Sequence, residues 1–256
     1  MLYLLKRHPW PVSAYFDWSL ALVFAVPAEV AWQLLPPGLI PDLYGEWGFV
    51  AAAFVQTRRL NPAWAPQCLA QDFFLAGYRV FARARLADGR HVRGLRILGS
   101  DTDSLRMTLL GGLLTHYGYR KVQVTVQQDG QGLALRVTHR GRPSVDLETD
   151  LTTASAPPAG SPFPDLRTAR RFAGPMPFTF SHEPETDSIV VVEGTRQHWE
   201  PRPVNVNVRS LEFFARPPFA SQGLPVLANA FWVQEVAYSW KRGVLVPAHL
   251  NHPAEA

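Results

Sequence analysis

The chain of 256 residues is 47% hydrophobic and 18% charged, with eight tryptophans and fifteen phenylalanines. That composition excludes disorder, and a chain this long buries roughly three quarters of its unfolded surface. The formal net charge of +4 is too mild to indicate a nucleic-acid partner without a clustered patch.

Cys68 is the only cysteine, so no internal disulfide can form, and a reducing, cytoplasmic setting is expected. The opening MLYLLKRHPWP has too short an apolar run, and the wrong charge order, for a signal peptide. Phe16 to Leu35 is apolar but interrupted by Asp17, Pro27 and Glu29. It reads as a buried strand followed by a helix, and no membrane partner is expected. The helix, PAEVAWQLL, begins at Pro27 and stops against Pro36-Pro37.

Strands dominate the remainder of the chain. YRVFARARLADGRHVRGLRIL folds back at Asp88-Gly89, because Asp-Gly supplies the positive φ angles of a tight turn, so a β-hairpin is predicted. DSLRMTLLGGLL reads as a helix capped by Asp101 or Asp103. KVQVTVQQDGQGLALRVTH is a second hairpin turning at Asp129-Gly130, in which Val122, Val124 and Val126 alternate with Lys121, Gln123 and Thr125. A third turn at Arg140-Gly141 leads into SVDLETDL. DLRTARRF is a third helix, and DSIVVVEG, VNVNVRSLEFF and FWVQEVAYSW are further strands. The Pro/Ala/Ser-rich stretch 152–164 is taken as a long loop inside a single domain spanning 1–256. Many antiparallel strands with few short helices predict an α+β barrel or wrapped sheet.

Common chemical signatures are missing. No glycine-rich phosphate loop, Walker lysine or Gly-x-Ser-x-Gly elbow is present, the histidines are scattered, and neither a metal nor a cofactor is expected. Arg79, Arg83, Arg85 and Arg93 form a candidate basic stripe, but without interleaved aromatics it reads as an arginine-rich outer face. Lys121 admits two readings. It is either a solvated charge alternating with core valines or an amine in a poorly hydrated pocket, where the neutral, nucleophilic form is favoured.

VPAEVAWQLLPPGLIPDLYGEWGFVAAAFV, FFLAGYRVFARARLADGRHVRGLRIL, DTDSLRMTLLGG, HYGYRKVQV and RQHWEPRPVNV together resemble, in content and order, the acetoacetate decarboxylase-like superfamily, nearest its YqjF-like bacterial branch. The resemblance runs from Phe16 to Pro247. It implies a cone-shaped antiparallel β-barrel with a small polar cavity and short helices packed outside. It also implies that Lys121, in GYRKV, stands where that family carries a Schiff-base lysine, with Lys121, Gln123 and Thr125 facing the cavity. Departures limit what carries over: Val122 replaces a second lysine, Arg120 a proline, Ala25 an arginine and Leu75 an acidic residue. Decarboxylation is therefore not carried across. Candidate ligand-binding residues within the same motifs are Glu46, Tyr78, Arg79, His116, Tyr119 and His198, with Arg79 suited to a carboxylate. The expected partner is a small carbonyl compound or carboxylate. The alternative is a non-catalytic metabolite-binding or protein-interaction barrel, and a homo-oligomer is compatible with either.

Overall fold

In a computed structural model, which describes residues 2–174, 176–221 and 225–251, the chain is built mainly of strands. It runs through β1 (Val12–Pro27), α1 (Ala28–Gln33), β2 (Ile40–Pro41), β3 (Trp47–Pro62), β4 (Gln71–Arg85) and β5 (His91–Thr102). After α2 (Leu105–Leu114) come β6 (Tyr119–Lys121), β7 (Gln123–Asp129), β8 (Gly132–His139) and β9 (Arg142–Asp150). α3 (Leu166–Ala173) precedes β10 (Phe178–Glu183), β11 (Ser188–Arg196), β12 (Arg202–Pro203), β13 (Asn205–Leu211), β14 (Val226–Trp240) and β15 (Val244–Pro247).

Seven strands pair in the order β14-β1-β3-β4-β5-β10-β11, and β11 pairs back onto β14. The sheet is thereby closed into a ring, which satisfies strand edges that would otherwise be open. It is not wholly antiparallel, since β10 and β6 each join β5 in parallel. A separate four-stranded sheet, β13-β9-β8-β7, covers one side.

The period of two along each long strand separates the two faces of the ring. Trp18, Leu20, Leu22 and Phe24 of β1, Val50 and Phe54 of β3, and Phe74, Tyr78 and Val80 of β4 share one core with Leu133, Leu135, Val145 and Leu147 of the second sheet. These residues are the outer face. The intervening residues Ala21, Ala25, Ala51 and Ala53 point inward and are small. Large side chains therefore fill the interface between sheets, where each fully buried Leu or Phe contributes about 1.5–3 kcal/mol. On the inner face those alanines stand beside Phe49, Phe81 and Phe231.

The hairpins turn at Asp88-Gly89, Asp129-Gly130 and Arg140-Gly141 as their sequences predict, and α1 and α3 begin where expected. Four details differ. The strand containing Lys121 breaks at Val122: β6 belongs to the ring and β7 to the second sheet, so Gln123 and Thr125 are exposed on that second sheet and line no cavity. α2 is capped by Ser104, whose hydroxyl accepts from Met107 N at 3.1 Å, because Asp101 and Asp103 are engaged elsewhere. α3 packs its Ala169 and Ala173 against the inner-face cluster, together with Phe163 from the long loop. The arginine stripe is dispersed: Arg79 is inside the ring, while Arg83 and Arg93 both bind buried Asp42, each at 2.5 Å. One carboxylate facing two guanidiniums ties the β4–β5 hairpin to the segment after β2. No helix among the described residues is long and apolar enough to cross a membrane.

The first residues are fastened by charge. Arg7 donates to Glu183 at 2.8 and 2.6 Å, and Thr186 donates to the same carboxylate at 2.6 Å. The Arg7 guanidinium holds the inaccessible Glu183 carboxyl below its usual range. His8 and His116 lie alongside, and loss of hydration lowers the imidazole pKa of both. In each histidine the unfolded chain binds a proton more readily than the native one, so their contribution to stability is present above about pH 6.5 and is lost as pH falls. The urea midpoint is expected to drop between pH 7.5 and 5.5. The drop should shrink in His8→Asn and shrink further when His116→Asn is added; an unchanged drop in the double variant would place its origin elsewhere.

Candidate functional site

On β4 the inward residues are Leu75, Gly77, Arg79 and Phe81, alternating with Phe74, Ala76, Tyr78 and Val80 in the outer core. Arg79 is the charged member of that inner series. Its guanidinium folds back over Gly77, where a Cβ would stand only 3.0 Å from Nη2. The Arg79 Nε is fully buried and without a hydrogen-bond partner. Loss of hydration depresses the guanidinium pKa, and the groups that act in the opposite sense are the phenols of Tyr238, Tyr117 and Tyr119. No carboxylate pairs with it among the described residues. Enclosing a cation without an anion is costly, so this arrangement demands a reason.

The phenols are supplied by two separate elements. Tyr117 and Tyr119, with centroids 6.3 Å apart, come from the segment that follows α2. Tyr119 reaches the site by lying flat against the helix at Gly111, where a Cβ would fall 2.5 Å from its Cε2. Tyr238 comes from β14, stacked on Phe16 at 5.1 Å, with its hydroxyl over Gly194. Burial raises the pKa of all three hydroxyls, so they remain neutral O–H groups at physiological pH. They can donate to an anion but cannot neutralise the guanidinium. Arg196, which lies 4.8 Å over the Trp199 ring, hydrogen-bonds Tyr238 and extends the polar array.

The sequence candidates divide sharply. Arg79 and Tyr119 come together here. Tyr78 does not: it points outward, stacks on Phe213 at 4.3 Å and donates to Asp101 at 3.3 Å. Asp101 is occupied by Arg120 through two bonds of 2.7 and 2.9 Å. His116 belongs to the Arg7–Glu183 network, with Nε2 4.0 Å from the Glu183 carboxylate. Glu46 lies in the exposed turn between Tyr44 and Trp47, and His198 in an exposed turn at φ 53°.

Lys121 shares a sheet face with the inward residues, through the rung Leu75–Thr102–Lys121. Its side chain is nevertheless exposed, and its ammonium donates to the Asp103 carbonyl, with the Val122 carbonyl 3.5 Å away. Ala25 and Leu75, where the resemblance places an arginine and an acid, lie in the inner apolar clusters. Tyr117 and Tyr238 were not singled out by the sequence. Tyr117 lies inside HYGYRKV and Tyr238 inside VAYSW, but an alternating strand pattern does not distinguish a lumen tyrosine from an amphipathic core one.

Close packing around Tyr238 is testable by itself. A Cβ at Gly194 would meet the Tyr238 hydroxyl at 2.3 Å, so Gly194→Ala is expected to cost about 1–3 kcal/mol in urea denaturation. Part of that loss should return on a Tyr238→Phe background; fully additive effects would mean the two positions do not touch.

The structure superposes on the enduracididine biosynthesis enzyme MppR, complexed with the condensation product of pyruvate and imidazole 4-carboxaldehyde, with TM-score 0.62 and 12% identity over 94% of this chain and 91% of that one. Acetoacetate decarboxylase from Legionella pneumophila gives TM-score 0.62 and 10% identity over 93% and 88%. An acetoacetate decarboxylase-like enzyme from Sphingomonas wittichii gives 0.60 and 15% over 95% of each chain. At such identities the likeness establishes the fold, not the chemistry. No curated protein matches the sequence. The DUF2071 family model, described as an uncharacterized conserved protein, matches residues 17–237. The chain therefore belongs to the DUF2071 family and carries the acetoacetate decarboxylase-like fold.

Proposed function

We propose that the ring interior binds a small carboxylate of the keto-acid class, with Arg79 receiving the carboxylate and Tyr117, Tyr119 and Tyr238 donating around it. The observation that carries this reading is the half-buried Arg79 guanidinium, its Nε inaccessible and without a hydrogen-bond partner and with no carboxylate paired to it among the described residues. A ligand carboxylate would supply the missing charge, bidentate to the planar fork, in surroundings of low dielectric where such a bond is strong. Neighbouring structures of this fold lend support: MppR has been seen with pyruvate and with a pyruvate condensation product.

A panel of 2- and 3-keto acids should raise the melting temperature of the wild-type protein, since a ligand at 100 times its Kd adds about 2.7 kcal/mol. Arg79→Met should abolish that response. The same change should stabilise the ligand-free protein by about 1 kcal/mol or more, because an unpaired buried charge is replaced by hydrocarbon of similar length. Retention of the ligand response in Arg79→Met, or no response to any keto acid in the wild type, would overturn the proposal.

A second reading, Schiff-base chemistry at Lys121, is favoured by one observation: the rung Leu75–Thr102–Lys121 puts the lysine on the same sheet face as Arg79. The amine would have to leave the Asp103 carbonyl, lose its proton and add to a ligand carbonyl, and the resulting carbinolamine would expel water to give the imine. Borohydride would then deliver hydride to the imine carbon and leave a stable secondary amine. Incubation with keto acids and borohydride should give a mass adduct that maps to Lys121 and vanishes in Lys121→Ala. Adducts spread over Lys6 and Lys241 as well would indicate ordinary surface reactivity.

A further inference from the structure

A groove of about 530 Å³ lies between α3 and β14, on residues that take no part in the Arg79 site. Its size falls within the range of small-molecule sites. α3 turns Ala169 and Ala173 to the inner-face cluster, so Arg167, Arg170 and Arg171 fall along the groove. The helix is held firmly in that orientation. Arg93 donates to the Phe172 carbonyl at 2.7 Å and lies 4.6 Å over the Phe172 ring, and Asp165 caps the first turn by accepting from Thr168 N at 2.6 Å.

The charge along the groove is lopsided. Asp165 lies close enough to Arg167 for the two charges to interact, but Arg170 and Arg171 have no ion pair among the described residues. Glu200, beside the groove residue Pro201, is exposed and pairs with none of them. Placing two arginines in the last turn of α3 favours the helix dipole, which explains their presence on the helix. It does not explain the rest of the groove. Phe231 and Pro203 form an apolar wall, and the Asn229 carboxamide borders the groove with no side-chain hydrogen bond inside the chain among the described residues, so it is open to a ligand.

We propose that this groove is a second binding site, taking a small phosphate monoester of an apolar or aromatic alcohol. The phosphate dianion meets Arg170 and Arg171, each able to offer a two-pronged fork, with Arg167 at the margin. The organic body lies against Phe231 and Pro203, and the Asn229 amide donates to the ester or phosphoryl oxygen. Two unpaired guanidiniums match a doubly charged head better than a single carboxylate, which distinguishes this ligand class from that of the ring interior.

Calorimetric titration of the full chain with 1-naphthyl phosphate, 1-naphthol and inorganic phosphate tests the site. The naphthyl phosphate should bind at least about tenfold tighter than either fragment, a margin of about 1.4 kcal/mol. Its affinity should fall with added salt. Arg170→Gln/Arg171→Gln should weaken it by about tenfold or more while leaving the melting temperature close to wild type, since both side chains are exposed. Arg79→Met should leave it unchanged, which keeps this result separate from that of the interior site. Undetectable binding to the wild type, equal binding to the double variant, or equal affinity for 1-naphthol or for inorganic phosphate would each overturn the proposal.

Discussion

An ionised side chain half-buried without a counter-ion is the constraint around which this molecule is arranged. Closing seven strands into a ring gives every strand an inner face, on which the alanines of β1 and β3 stand beside Phe49 and Phe81. Arg79 occupies it with three neutral phenols rather than an acid around its guanidinium. Desolvating a guanidinium costs several kcal/mol, and phenolic dipoles recover only a fraction of it. Such a cost persists where the native state is not selected for stability alone. An anion that met such a cation would relieve a penalty as well as make contacts.

The rest of the structure supports that cost by being rigid elsewhere. The second sheet seals the outer face with branched and aromatic side chains. Asp42 binds two arginines from the β4–β5 hairpin, and Arg93 then extends to α3 through Phe172. Glu183 fixes the N-terminal segment through Arg7 and sits within reach of His116, just before the two tyrosines of the site. Buried carboxylates thus recur wherever an element must be held in place, and each has its guanidinium. Against that pattern Arg79 and Arg96 are exceptions, each with an inaccessible Nε that lacks a hydrogen-bond partner and no ion pair among the described residues; Arg79 falls inside the ring, whereas Arg96 pairs across from Val80 of the outer core.

Much of the fold was legible because it rests on local chemistry. Asp88-Gly89 and Asp129-Gly130 specify tight turns whatever surrounds them, and Pro27 and Asp165 mark helix starts by their own backbone preferences. The site was legible only in part. Arg79 and Tyr119 were identifiable as groups that can meet an anion, whereas Tyr78 has the same alternating pattern and faces the other way. A period of two separates two faces but does not say which one lies inside the ring; that depends on ring closure between β11 and β14, a contact between distant segments. The same non-locality hid the break at Val122. Lys121, Gln123 and Thr125 alternate perfectly in sequence, yet the chain passes from one sheet to another between them. The Asp101 and Asp103 caps failed for a related reason: both carboxylates are engaged by distant partners, and Ser104 was left to cap the helix.

The two readings of the ring interior are separable by distance along β4. Arg79 lies four residues from Leu75, the rung that leads through Thr102 to Lys121, which at the usual strand rise is about 13 Å. A short keto acid with its carboxylate on Arg79 therefore keeps its carbonyl well away from the lysine rung, and only the length of the Lys121 side chain can narrow that gap. The intervening inner surface carries Leu75 and Gly77, which offer neither an acid to accept a proton nor a second cation to activate the amine. Anchoring and imine formation make different demands on the protein. Anchoring needs a fixed charge in a dry place, which a single arginine meets. Imine formation needs several groups converging on one carbonyl, and Val122, Ala25 and Leu75, where the resemblance places a lysine, an arginine and an acid, supply none of them.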